Sequence, residues 1–179
     1  MSSLQMAAIP DTIVLGRHRD LEGRRKDAWV RRALLVAIGL VPLLALTNLF
    51  GQRPHVAAAA SPEATLELYA PGHVRGGLLW EARFTVYAHQ ELKDAVLELD
   101  KGWMEGMQIN TVEPSPVGEA SNDGRLVLDL GHVPRGQRHI LFMQFQANPT
   151  NVGRRPQDVR LYDGDTLLAT IRRRITIFP

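Results

Sequence analysis

Four histidines, His73, His89, His132 and His139, are the side chains in this sequence best suited to bind a transition metal or relay a proton. A metal site legible in sequence needs ligands at a spacing that lets them converge, as in H-x-H or H-E-x-x-H. These four show neither pattern, and each falls in or beside an expected loop or strand end. No zinc or copper site and no cofactor is expected. Asp123 and the Asp163-Gly164-Asp165 segment offer carboxylates, but neither carries the run of oxygen ligands that a calcium loop requires, and both read as hairpin turns. Nucleophilic catalysis needs a hydroxyl or thiol beside a positioned base. Ser61, Ser115 and Ser121 lie in loop-like contexts, and Ser121, next to Asn122-Asp123-Gly124, reads as a turn former. No set of acid, base and nucleophile can be assembled, so an enzyme is not expected.

The residues that could make contacts are of another kind. Arg172-Arg173-Arg174 lies in an alternating run, so Arg173 shares a face with Ile171 and Ile175 while Arg172 and Arg174 point the other way. With Arg160 and Arg154-Arg155 these side chains could bind anionic lipid headgroups or an acidic polymer; alternatively they form a charged edge that blocks strand-to-strand aggregation. Trp103 and Met104 sit in an irregular stretch between Gly102 and Gly106, where an aromatic ring either caps a sheet end or lies exposed at a contact surface.

Composition narrows the classes further. The chain has 179 residues, a formal net charge of +2 and no cysteine. That length suits one ordinary domain plus a short extra segment, and the charge gives no global field of the kind nucleic acid demands. Without cysteine there are no disulfides and no thiolate chemistry, which is permissible in any compartment.

The elements that must position these residues begin with Ala33 to Gly51, ALLVAIGLVPLLALTNLFG, which has no charge and is long enough at ~1.5 Å per residue to reach roughly 28 Å, the thickness of a bilayer core. Pro42 is compatible with a membrane helix, where neighbouring groups re-satisfy the freed carbonyl. Arg24, Arg25, Lys26, Arg31 and Arg32 precede the segment and only Arg53 follows closely, which predicts a cytoplasmic N-terminus. Trp29 sits where an interfacial anchor belongs. The alternative is a cleaved signal, with Ala57 to Ala60 as the small-residue site, although the basic leader and the stretch to those alanines are both long for one. The expected layout is a cytoplasmic basic tail over residues 1–27, a transmembrane helix over 28–51, a linker over 52–63 and an extracytoplasmic β domain over 64–179.

From Ala64 the text changes to short alternating runs separated by Gly, Pro, Asn and Asp, the pattern of an all-β domain. In Leu78 to Ala88, the residues Leu78, Trp80, Ala82, Phe84, Val86 and Ala88 share one face. Further strands are expected at 64–70, 92–100, 107–112, 125–130, 138–147, 158–162 and 166–178, with 138–147 central. This is a mainly β chain in which an N-terminal membrane helix is followed by an antiparallel, immunoglobulin-like sandwich of seven or eight strands; a small closed barrel is the alternative.

The run Leu130-Gly131-His132-Val133-Pro134-Arg135-Gly136-Gln137, the strand Ile140 to Gln146, then Asn148-Pro149 and Gly153 resemble the strand and turn of bacterial cell-surface immunoglobulin-like domains of the DUF11 type. The match covers about a quarter of the chain, and its glycines and prolines are turn chemistry. The resemblance implies an envelope location and a structural or adhesive role. The chain as a whole is similar to single-pass envelope proteins of bacteria. Two functions are therefore expected in competition. One is a membrane-anchored interaction module, an accessory subunit of another membrane or envelope protein; the other is a binding domain for an anionic polymer, lipid headgroup or small ligand, with Trp103, Met104, Arg172 and Arg174 as contacts.

Overall fold

The computed structural model describes residues 25–47 and 51–179, so most of the expected tail, residues 1–24, and positions 48–50 lie outside it. The helical and the β parts are separate compact units. Helix α1 spans Arg25–Leu46, starting before the expected position 28 and stopping short of 51. It runs through Pro42 without ending there. Every residue from Val30 to Thr47 is exposed, and the 19-residue apolar stretch Ala28–Leu46 is long enough to cross a bilayer or to serve as the core of a signal sequence.

The β unit contains thirteen strands: β1 Pro54–Ala60, β2 Ala64–Pro71, β3 His73–Arg75, β4 Leu79–Ala88, β5 Leu92–Leu99, β6 Met107–Glu113, β7 Gly118–Asn122, β8 Arg125–Val133, β9 Arg138–Ala147, β10 Gly153–Pro156, β11 Val159–Asp163, β12 Thr166–Ile171 and β13 Arg174–Phe178. They make two five-stranded antiparallel sheets, β1-β2-β4-β9-β6 and β12-β11-β5-β8-β7, and a small third sheet β10-β13-β3 in which β13 and β3 run parallel. The architecture is an immunoglobulin-like β-sandwich.

Alternation builds the core. In the first sheet Leu66 and Leu68 of β2, Trp80, Phe84 and Val86 of β4, and Leu141, Met143 and Phe145 of β9 all turn inward; the second sheet answers with Leu97 and Leu99, Leu128 and Leu130, and Val159 and Leu161. Side chains of this size each gain roughly 1.5–3 kcal/mol from burial, which fixes the register, because a one-residue slip would present them to water. Leu78, expected on the inward face of β4, instead lies outside the strand and is half exposed. The Asp123-Gly124 turn joins β7 to β8 with Asn122 opposite Arg125, and positive φ at both central residues (50° and 75°) makes it the two-residue type that suits a twisted hairpin.

Three expectations are corrected. Residues 52–63 are not a linker throughout, since Pro54–Ala60 pairs with β2 along its whole length. The run 166–178 is two strands: the chain leaves the second sheet after Ile171 and enters the third at Arg174. Strand β9 is internal, but β4 holds the centre of its sheet.

Candidate functional site

The Arg172–Arg174 corner and Trp103 meet in space. Asp100 accepts a hydrogen bond from the Lys101 N–H through Oδ1 (3.0 Å) and opens a single 3₁₀ turn, Lys101–Trp103, which the Met104 N–H closes on the Lys101 carbonyl. The turn drives Trp103 into the core, where its ring lies 5.3 Å from Phe84, 5.4 Å from Phe145 and 5.8 Å from Trp80. Trp103 is completely buried, so it caps the sandwich and cannot be an exposed contact. Met104 beside it is partly exposed.

Arg173 covers the same ring. Its Cζ stands 5.4 Å from the centre of Trp103, its Nη2 donates to the Pro71 carbonyl at 2.5 Å, and its backbone N–H donates to Asp158 Oδ1 at 3.1 Å. Burial pulls the guanidinium down to about 10, still far above neutrality, so the cation persists on the aromatic face. Arg172 and Arg174 point outward and are exposed, as their alternation with Arg173 requires. Together with Pro156 and Asp158 the three arginines line a shallow pocket of about 300 Å³. The carboxylate of Asp158 in that lining offsets part of the arginines' positive charge.

At the helix, Trp29 is exposed and the Arg32 guanidinium lies 5.7 Å from its ring, with Arg31 also exposed and Pro42 farther along. This is an aromatic and basic cluster at one end of an apolar helix, the arrangement found at a membrane interface.

The histidines do not converge. His73 stacks on Phe178 at 5.8 Å, His89 Nε2 contacts Thr65 Oγ1 at 2.8 Å, and His132 Nε2 meets Glu91 at 2.9 Å. No group of three or more His, Cys, Asp or Glu side chains among the described residues could hold a metal ion. His139 is partly buried with Nε2 unpartnered, and that burial pulls its pKa below the ordinary 6.5. The unfolded chain therefore binds the proton more readily than the folded one, so His139 costs no stability above 6.5 and destabilises progressively as pH falls below it. Melting temperature should decline on acidification through this window, and His139→Leu should flatten that part of the profile; an unchanged slope would remove His139 as its cause.

The outer faces of the two large sheets differ. On the second, Glu98 is buried and accepts from Arg160 Nη1 at 2.7 Å, while Arg125 lies 3.6 Å from Glu98 and 3.5 Å from Asp100. The charges of this face are paired within it, although the Arg125 Nε has no hydrogen-bond partner. On the first, a single cross-strand row reads Val56, Tyr69, Arg83, Phe142 and Glu113, with Arg83 stacked 5.0 Å over Tyr69 and Ile140 one position along from Phe142. Val56, Tyr69, Ile140 and Phe142 are all more than a third exposed, a level that leaves their apolar surface available for contact. Sequence inspection missed this row, because its members come from five strands and only the register aligns them.

No family model matches the chain, and no curated protein matches it. Among solved structures, it is similar to AvmM, which catalyses macrocyclization in alchivemycin A biosynthesis (8% identity, 72% of this chain and 95% of that one, TM-score 0.46). It is also similar to a non-cellulosomal cohesin from Archaeoglobus fulgidus (12% identity, 71% and 92%, TM-score 0.40). A third is the CARDB domain of the PF1109 protein from Pyrococcus furiosus, solved with di-metal ions (9% identity, 71% and 96%, TM-score 0.36).

Proposed function

We propose that this chain is a membrane-anchored, non-catalytic interaction module, with α1 in the bilayer, the N-terminus in the cytoplasm and the sandwich outside it as an accessory subunit of another membrane or envelope protein. The observation that carries the reading is α1 itself. Its apolar side chains are exposed from Val30 to Leu46, and an apolar helix exposed on all sides is stable only in lipid or against another protein. The interfacial cluster of Trp29, Arg31 and Arg32 favours lipid. The DUF11-type text at Leu130 to Gly153 fits the same envelope location.

The sandwich supports binding over catalysis, since its histidines are dispersed and its exposed aromatic and aliphatic row offers contact area. The rival reading, an anion-binding domain, loses Trp103 as a contact and finds Asp158 in its pocket. The test is purification of the full chain from native membranes in mild detergent. The expected result is a membrane-bound protein that brings down one specific membrane or envelope protein, and that loses it when Phe142→Asp charges the exposed row. Recovery as a partnerless species under the mildest extraction would contradict the reading.

A further inference from the structure

The edges of the sheets are protected unequally. Natural sandwiches blunt exposed edges with charge, bulges, proline or brevity, because an open row of N–H and C=O groups recruits other strands. Edge strand β6 is bulged between Ile109 and Thr111 and stops at Glu113-Pro114; β7 is short and carries Glu119. Strand β12 is itself bulged at Leu168 and runs into Arg172-Arg173-Arg174, while β10 and β3 are only four and three residues long and carry arginine. Strand β1, PHVAAAA, has none of these devices after its first residue. It holds seven unbroken pairs with β2, no bulge and no Asp, Glu, Lys or Arg, and among the described residues no strand lies on its other side.

The hydrogen-bond phase shows what that edge presents. The Ser61 N–H donates to the Ala64 carbonyl (2.8 Å) at the β1–β2 turn, so antiparallel alternation turns Ala59, Ala57 and His55 toward β2 and leaves the N–H and C=O groups of Val56, Ala58 and Ala60 on the free side. The side chains of these three residues are exposed, and two of them are methyl groups. Pro54 and Pro62 stand two residues beyond Val56 and Ala60, where each lacks the N–H that would extend the row.

This arrangement is complementary to itself. A second β1 laid antiparallel about a two-fold axis at Ala58 sets Ala58 opposite Ala58 and Val56 opposite Ala60 on either side. All three free N–H groups of each copy then find a carbonyl. Pro54 falls opposite Pro62, so the two residues that cannot donate face each other and end the pairing. From Val56 to Ala60 no side chain is larger than valine, His55 falls opposite Ser61 at either end, and the isologous geometry is that of ordinary two-fold dimers. We infer that β1 is a homodimerisation edge, joining two copies of the first sheet into one continuous ten-stranded sheet. The contact borders the exposed row at Val56, but its occupant is a second copy and not the proposed membrane partner, and it does not require α1 to lie in lipid.

The two-fold at Ala58 supplies its own test, because directly opposed like charges repel and unlike charges attract. The full chain, kept in detergent micelles, is compared with Ala58→Lys and Ala58→Glu, whose side chains point to solvent and leave the β1–β2 bonds intact; near-UV circular dichroism verifies folding. Sedimentation should show the native chain as a dimer. Ala58→Lys alone and Ala58→Glu alone should associate about tenfold more weakly or worse, and an equimolar mixture of the two should recover most of the native association. Should either charged variant disrupt the fold, Ala58→Pro, which removes an outward N–H and no β1–β2 hydrogen bond, replaces it and must also weaken the dimer. A monomeric native chain, charged variants that dimerise like the native one, or a mixture that does not recover would each overturn the inference.

Discussion

Gly102→Ala is expected to unfold the sandwich at ordinary temperatures. A Cβ at this position would lie 1.9 Å from the backbone oxygen of Pro156 and 2.9 Å from its carbonyl carbon. Neither atom belongs to a flexible side chain, so relief requires the 3₁₀ turn and β10 to separate. That separation would withdraw Trp103 from Phe84, Phe145 and Trp80 and uncover the Arg173 guanidinium stacked on it. Overpacking a close contact costs roughly 1–3 kcal/mol, and loss of a buried tryptophan's packing adds a further ~3–5 kcal/mol. The sum approaches the whole stability of an ordinary domain, about 5–15 kcal/mol. Denaturant unfolding followed by tryptophan fluorescence measures this directly. A variant within about 1 kcal/mol of the native chain would mean that the turn is not packed against β10 as described.

The second large effect concerns α1. Val36→Asp with Leu40→Asp places two carboxylates near the middle of the apolar stretch, each opposing insertion by roughly 2.5–3.5 kcal/mol. The full chain is expected to leave the membrane fraction almost entirely, while Val36→Ile should remain in it. Because the sandwich is a separate compact unit, its near-UV circular dichroism should survive the change. Retention of the double variant in carbonate-washed membranes would show that something other than α1 holds the chain there.

The sequence exposes those parts of the fold whose side chains differ between faces. Strand β4 is legible because Trp80, Ala82, Phe84 and Val86 alternate with Glu81, Arg83 and Thr85, and the Asp123-Gly124 turn is legible because few residues accept positive φ. Strand β1 is not, since alanine occupies both faces of Ala57 to Ala60 and a period of two cannot appear. Strand β7 has no large apolar residue on either face, and β3 and β10 are too short to show any period. The break at Arg172-Arg173 is hidden for a different reason. Inward alternation of Ile171, Arg173 and Ile175 continues across it, so the pattern persists while the chain changes sheets.

At the candidate site, the sequence leaves Trp103 between cap and contact, and packing against Phe84 and Phe145 decides for the cap. The partnership of Trp103 with Arg173 joins positions 70 residues apart and has no local signal. The same holds for Glu98 with Arg125 and Arg160, and for the row from Val56 to Glu113, which exist only once the strand registers are known.

The absence of cysteine offers a background-free test of the membrane arrangement. Single variants Ser3→Cys, in the N-terminal segment, and Ala120→Cys, on exposed β7, are treated in intact spheroplasts with a thiol reagent that cannot cross the membrane, and again after permeabilisation. Labelling of Cys at 120 in intact cells, with the thiol at 3 reacting only after permeabilisation, is the result expected of a sandwich held outside the cytoplasm by α1. Protection of position 120 until the cells are opened would contradict it.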